Sequence, residues 1–332
     1  MRMKVKDADK LVIDFPPDPD YYAAVLGIGG AAGRVVDRLA GRGMSKTRMC
    51  VFGMNSQEID DVSFAEKYLI GNDGLGSGKD YLTAMEASRE LLPVVNEILS
   101  VPVMAVYVVC LGGATGESCA KTFLMETQSS AVKARMLIAT LPHHLEGEDK
   151  RERAKRMLEE LKHYVDGVMV IDYEKIDATS VYSLYKRADD MLVDMTRAFV
   201  RLSTVTSILC FDLNDTRTLM RLAKDKIIDF VTLTGNIDYI KDRLKHFDKL
   251  LPARYASIAD ISDMIFEECF ANLDEFERFK NIGEFLPDAL ACSFGEEIVE
   301  SEKVDMVAFS ISLDKEMNSD DIRINMFIAC KH

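Results

Sequence analysis

Three glycine clusters are the places where this sequence could do chemistry, and what they offer is main chain rather than side chain. The first, Gly27-Ile28-Gly29-Gly30-Ala31-Ala32-Gly33, follows an apolar run and precedes a helical pattern. Glycine there lets the backbone approach a ligand closely, and the unpaired N–H groups of a helix start face an anion. The second is Gly74-Leu75-Gly76-Ser77-Gly78, and the third is Leu111-Gly112-Gly113-Ala114-Thr115-Gly116, again directly after an apolar run. One such loop is weak evidence, because a strand-to-helix turn needs some glycine anyway. Three are hard to explain as turns alone, and phosphate binding is the expected chemistry. The other candidate constellation is an acid pair, Asp212 and Asp215. Two carboxylates can orient or polarise a water; the competing structural role is that Asp215 caps the helix that follows.

Two familiar phosphate-binding patterns fail at their diagnostic residues. A dinucleotide fold wants an acid about 20 residues past the glycines, but the second apolar run ends Met54-Asn55-Ser56-Gln57. A P-loop wants Gly-Lys followed by Ser or Thr; Gly78-Lys79 is followed by Asp80, and Asp73 stands where the first P-loop glycine belongs. A nicotinamide-dependent oxidoreductase is therefore the weakest of the readings. The seven cysteines are scattered without a CxxC pair, which argues against a zinc site and a disulfide framework and fits a reducing compartment. No metal-ligating set is expected. Net charge is −14. The densest basic stretch, Lys150–Arg156, is interleaved with acids, so neither nucleic acid nor direct membrane binding is expected. No apolar run approaches the roughly 20 residues of a membrane span, and the N-terminus lacks a signal-peptide core. The expected location is cytoplasmic.

The elements that must position the glycine loops are short apolar runs without alternation: Ala23–Ile28, Met49–Met54, Met104–Cys110, Arg135–Thr140, Val168–Asp172 and Ser207–Leu213. Such runs suit strands buried on both faces. Helical stretches are expected near 31–43, 79–99, 117–131 and 151–165. This βαβα order predicts an α/β fold with a mostly parallel sheet, whose loops at the carboxyl ends of the strands share one edge. From Ser180 to Thr204, apolar residues recur at alternating spacings of three and four, which predicts a long helix with one buried stripe. Beyond it, helices are expected at 216–228, 236–249, 257–270 and 272–280. A half-exposed antiparallel pair, Val304–Leu313 with Asp321–Cys330, should close a second α+β domain. The expected organisation is an extended leader over 1–20, a nucleotide-binding domain over 21–178, a central helix over 179–206 and a C-terminal domain over 207–332.

The order of the loops resembles the FtsZ branch of the tubulin superfamily. That family's first loop, GVGGxGxN, is similar to Gly27–Arg34; its GLGAG loop to Gly74–Gly78; and its GGGTGTG signature to Gly112–Ser118. Its PFxFEGxxR resembles Pro142–Gly147 with Lys150, its FREADN Tyr185–Asp190, its NxDxxD loop Cys210–Asp215, and its IRVTVIATG strand Ile322–Cys330. The likeness is good over 23–220, holds in outline over 304–330 and is poor over 225–303. It implies a tubulin/FtsZ-type GTPase domain binding GTP or GDP, with room for Mg2+. Gly29, Gly30, Ala31, Arg34, Gly76, Gly78, Gly112, Gly113, Ala114, Thr115, Gly116 and Glu117 would surround the phosphates. Glu146 and Lys150 would hold the ribose, Tyr185 would stack on the base, and Asp189 would read guanine. Asp212 and Asp215 would complete the nucleotide site of the next subunit in a head-to-tail filament, giving a cytoskeletal protein for cell division or cell shape.

The departures bear on hydrolysis and magnesium more than on binding. Arg34 replaces an asparagine, Gln57 an acid near the metal, Cys210 the asparagine of the catalytic-type loop and Tyr173 an asparagine near the base. Ala114, Glu117 and Ser118 break the signature, and Glu117 sets a negative charge beside the expected phosphates. A non-hydrolysing regulator that binds nucleotide and co-assembles with an ordinary FtsZ filament is the alternative reading. The chain ends at His332, without the linker and adaptor peptide of ordinary division FtsZ. The expectation is thus a divergent prokaryotic FtsZ-like protein, with an archaeal one fitting, rather than a self-sufficient division ring.

Overall fold

The computed structural model describes residues 2–5, 11–14, 21–71, 73–78, 80–127, 131–208, 212–250, 261–279 and 306–330. In chain order the elements are β1 (Arg2–Val5), β2 (Leu11–Asp14), β3 (Ala23–Ile28), α1 (Gly30–Gly41), β4 (Thr47–Gly53), α2 (Ser56–Asp60), β5 (Glu66–Leu69), α3 (Tyr81–Arg89), α4 (Leu92–Ile98), β6 (Met104–Cys110), α5 (Ala114–Glu126), β7 (Ala134–Leu141), α6 (Glu148–Lys162), β8 (Gly167–Asp172), α7 (Val181–Thr204), α8 (Leu213–Leu222), β9 (Ile228–Gly235), α9 (Ile237–Leu244), β10 (Ile261–Phe270), α10 (Leu273–Phe279), β11 (Met306–Leu313) and β12 (Ile322–Cys330). The segment read as an extended leader contains an antiparallel hairpin, β1 with β2.

Five of the six expected apolar runs are strands, and with β5 they form one parallel sheet in the order β5-β4-β3-β6-β7-β8. The run β3 is buried at every position, as is β6 up to its last residue, which is what the missing alternation required. One face packs against α1, α7 and α8. The other packs against helices including α5 and α6. The helix expected over 79–99 is two helices. It stops at Arg89 and restarts with Pro93 in the first turn of α4, where the missing N–H has no helical partner to lose.

Helix α7 begins at a reciprocal cap: Ser180 accepts from the Ser183 N–H, and the Ser183 hydroxyl accepts from the Ser180 N–H. Its buried stripe, including Leu184, Ala188, Leu192, Met195, Phe199 and Leu202, lies in the same core as Ile228, Ile265, Phe327 and Ala329 of the second sheet. That sheet runs β11-β10-β12-β9.

Three expectations fail in this second half. Residues 257–270 were expected as a helix, but 261–270 is the strand β10 and 257–260 lie outside the described residues. Its apolar residues Ile261, Met264, Ile265 and Cys269 fall at helical spacings because Glu267 and Glu268 interrupt the strand pattern; both glutamates are buried. The two last strands are not partners: β10 lies between them, parallel to β11 and antiparallel to β12. Nor is β12 half-exposed, since seven of its nine residues are buried consecutively from Ile324 to Cys330. Finally, Ser207–Leu213 is not a strand. Ser207 and Ile208 lie outside any strand, Leu209–Phe211 lie outside the described residues, and Leu213 opens α8.

Candidate functional site

The strand order fixes where a ligand can sit. After β3 the chain goes to one side, to β4, and later returns to the other side, to β6. The carboxyl ends of β3 and β6 therefore flank the switch point of the sheet, where a crevice opens. The first and third glycine loops leave from those two ends. They meet backbone to backbone: a Cβ on Gly29 would lie 3.3 Å from the Gly116 Cα, and Gly29 holds φ +88°, which a side chain would strain. At Gly112, with φ +96°, a Cβ would lie 2.6 Å from the Lys150 side chain.

A cavity of about 330 Å³ opens there, within the range of small-molecule sites. Gly29, Gly30, Ala31 and Arg34 line it from the first loop and α1, and Gly113, Ala114, Thr115 and Gly116 from the third loop. Glu146, Lys150, Tyr185 and Asp189 line its other end. Gly76, Gly78, Gly112 and Glu117 do not line it. The second glycine loop stands beside it, with the Thr115 hydroxyl donating to Ser77 Oγ at 3.3 Å. Gly112 lines an adjoining chamber of about 510 Å³, together with Tyr81 and Arg153.

Glu117 lies beneath the loop rather than beside the ligand space. It is fully buried, and its Oε1 accepts from the Gly112 N–H at 2.6 Å. The charge feared from the sequence is turned inward, where it uses one loop amide. Arg153 Nε is 4.0 Å from its other oxygen, and the same guanidinium lies 5.4 Å from the Tyr81 ring. Burial, together with the Glu117 carboxylate, pushes the Tyr81 phenol up to about 12.

At the opposite end of the cavity, Lys150 donates to Glu146 at 2.5 Å. The Tyr173 and Tyr185 rings meet edge to face at 5.7 Å. Burial, with the Glu146 contact second, pushes the Tyr185 phenol up to about 12. Asp189 is half-buried, and burial raises its carboxyl against the opposing pull of Arg34 and Arg38. A desolvated carboxylate of this kind seeks N–H donors. Cys110 also lines the cavity, but burial pushes its thiol up to about 11, so it is no thiolate nucleophile.

Thr140 and Pro142 also form part of the lining; nothing in the sequence distinguishes Thr140 from a strand-end residue, and Pro142 opens the PFxFEGxxR-like stretch without a role assigned to it. The sequence reading missed Arg151. This buried guanidinium grips Asp172 with two bonds of 2.9 Å and donates to the Pro142 carbonyl at 2.6 Å. It thereby ties the loop after β7 to the end of β8. Its only sequence signal was membership of the charged run. The acid missing at Gln57 has a neighbour in Glu58, whose carboxylate lies against Gly30 at the start of α1. Glu58 and Ser56, on the same turn, offer oxygen atoms of the kind that Mg2+ takes, the Ser56 hydroxyl donating here to the Gly74 carbonyl at 3.2 Å.

Asp212 and Asp215 stand apart from all of this. They form a reciprocal cap on α8: Asp212 accepts from the N–H groups of Asn214 and Asp215, and Asp215 accepts from the Asp212 N–H at 2.9 Å. Arg217 of the same helix donates to the Lys133 carbonyl just before β7, which places α8 at the amino-terminal edge of the sheet. Between that edge and the cavity runs α7, with 24 residues and a length of about 36 Å.

No family profile matches the chain. Cell division protein FtsZ 1 of Pyrococcus furiosus is 29% identical over 205 residues, 59% of this chain and 55% of that protein. FtsZ of Aquifex aeolicus is 28% identical over 204 residues, 59% and 55% of the two chains. The chain thus matches little more than half the length of these relatives. Among solved structures, an empty FtsZ dimer of M. jannaschii superposes with a TM-score of 0.75 at 18% identity, covering 93% of this chain and 88% of that one. CetZ from Methanosaeta thermophila gives 0.70 at 15% identity, covering 94% and 87%. The fold and the glycine-loop site define a protein of the tubulin/FtsZ superfamily. Within it, the chain is a distant homologue of archaeal and bacterial FtsZ.

Proposed function

We propose that the chain binds GTP in the cavity between its glycine loops, assembles head to tail, and completes the site of the neighbouring copy with Asp212 and Asp215. The observation that carries this reading is the separation of the two halves of the chemistry. Asp212 is exposed at one edge of the sheet, and the cavity opens at the other, about 36 Å away along α7. An acid pair so placed can act on a bound phosphate only in another copy of the chain, and a repeated head-to-tail contact gives an open filament. Leu75 and Leu145, 85% and 73% exposed, sit on the two loops flanking the cavity, as befits a face that another subunit covers. CetZ2 of Haloferax volcanii forms a GTPγS-bound protofilament with this fold, at a TM-score of 0.64.

The cap on α8 and a role in hydrolysis are compatible, and one pair of substitutions separates them. Asparagine keeps the side-chain oxygen that caps a helix and removes the charge. The Asp212→Asn, Asp215→Asn protein should therefore fold, bind GTP and sediment with it, while turnover falls at least 100-fold. Subunits that stay monomeric with GTP, GDP and no nucleotide alike would rule out the filament. Unchanged turnover in the double variant would rule out the acid pair.

A second reading is favoured by Glu117 alone. Its carboxylate already holds the Gly112 N–H, on a loop that the resemblance assigns to phosphate. A protein that binds GTP without turnover and co-assembles with an ordinary FtsZ filament would have this feature. Glu117→Thr with Ser118→Gly should then raise turnover.

A further inference from the structure

We propose that His143, His144 and Glu174 form a site for one divalent transition ion of the zinc type, next to the end of the cavity lined by Glu146 and Lys150. The three side chains come from two loops, His143 and His144 from the turn after β7 and Glu174 from the turn after β8. Their ligating atoms all lie within 4.8 Å of one another. His144 Nδ1 is 3.0 Å from Glu174 Oε1. Two ligands of a tetrahedral zinc ion stand about 3.3 Å apart, given metal–ligand bonds of about 2.0–2.1 Å, so this pair needs almost no movement to take the ion between them. The two imidazoles lie side by side, ring centres 4.3 Å apart. His143 Nδ1 accepts only a long bond, 3.2 Å, from the Leu145 N–H, so little is lost if the ring turns to a metal.

The surroundings hold these ligands as outer partners hold known metal ligands. Arg151 Nη2 is 3.2 Å from Glu174 Oε2, which steadies the carboxylate and leaves Oε1 toward His144. The charge of Arg151 is itself compensated by two bonds to Asp172, so it does not repel a cation as a bare guanidinium would. Asp172 also accepts from the Glu174 N–H at 3.1 Å, which fixes the turn. The His144 and Glu174 side chains are 54% and 33% exposed, giving the ion a path in and leaving a fourth position for water. Two imidazoles with one carboxylate favour zinc, copper or nickel and disfavour magnesium, which prefers oxygen ligands throughout. The site is thus distinct from any magnesium carried by phosphates, and it does not depend on the nucleotide reading. His143 stands where the resembled motif has phenylalanine, and His144 stands at a position that motif leaves open.

The test uses the full chain stripped of nucleotide. Zn2+ is titrated calorimetrically, and Co2+ serves as a stand-in whose visible absorption reports tetrahedral nitrogen and oxygen ligands. One equivalent should bind, and excess Mg2+ should not displace Co2+. His144→Ala and Glu174→Gln should each weaken Zn2+ binding at least tenfold while circular dichroism shows the wild-type fold. Absence of saturable uptake by the wild type, or equal uptake by both variants, would overturn the proposal; the second result would move the ion to another part of the chain.

Discussion

Strands β3 and β6 of the parallel sheet contain no charged residue, whereas β10 of the second sheet carries Glu267 and Glu268 side by side, both buried. In the first sheet the polar work is done at the rim, by loop amides and by side chains such as Arg151. Strands β3 and β6 need only fill space. In the second sheet the polar groups sit inside. Glu267 accepts from Ser312 and Asn325, each at 2.9 Å. Asp314, at the end of β11, takes two bonds from Arg197 of α7 and one from Arg323. Burial alone would raise the Asp314 carboxyl, but the Arg197 bonds, the charges of Arg201 and Arg197 and the Glu316 N–H together outweigh it and hold the group well below the usual carboxylate range. One sheet is thus built to present a ligand site, the other to grip the central helix.

The contrast predicts that stability and binding respond to different substitutions. The largest effect should come from Asp314→Ala, which leaves Arg197 buried with only Glu316, 3.1 Å from its Nη2, as an acidic partner. Breaking such a pair costs about 3–5 kcal/mol, read as a lower midpoint in urea denaturation, while the folded fraction keeps its nucleotide affinity. Equal losses of both would break the division between the sheets.

Gly116→Val should act the other way. A Cβ at Gly116 already lies 3.3 Å from the carbonyl oxygens of Ile28 and Cys110, so a branched side chain must push the first and third loops apart. Nucleotide affinity, measured by fluorescent-analogue titration, should fall about 100-fold, equivalent to about 3 kcal/mol, with a smaller change in stability.

The subtlest case is Glu268. It has no hydrogen-bond partner for Oε2, and burial pushes its carboxyl up to about 7. An acid whose folded pKa is raised binds its proton more tightly in the fold than in the unfolded chain, so stability falls as pH rises from about 4.5 to about 7 and stays low above that. Glu268→Gln removes this penalty. It should stabilise the protein at pH 8 by up to about 3 kcal/mol, and the gain should shrink as pH drops toward 5. A constant gain at both pH values would mean that charge burial is not the cause.

This difference also governs what could be read without coordinates. Every glycine-loop strand of the first sheet was legible, because an apolar run such as Met104–Cys110 admits few other interpretations. The long helix was legible to its cap at Ser180. The glycines of the lining could be named from type and spacing, whereas Glu146, Lys150, Tyr185 and Asp189 were legible only through the likeness to FtsZ motifs. What could not be read were groups whose meaning depends on a distant partner. Glu267 and Glu268 made β10 look like a helix, since nothing local announces Ser312 and Asn325. Glu117 looked like an obstacle to phosphate until its carboxylate was seen to turn beneath Gly112. His143 and His144 gave no metal signal, because their third ligand comes from a loop 30 residues away.

Helix α7 carries one more consequence. Its apolar stripe belongs to a single core that takes in Val25 and Val106 of the first sheet as well as Phe327 and Ala329 of the second, and Phe199 meets the Phe327 ring edge on at 6.0 Å. Neither sheet is therefore a separable module. A gene fragment ending before Val181 would strip α7 and α8 from one face of the first sheet, and one beginning after Thr204 would bare the Phe327 and Ala329 side of the second sheet that α7 covers. Recombination between relatives would succeed only at points that keep α7 together with both of its neighbours.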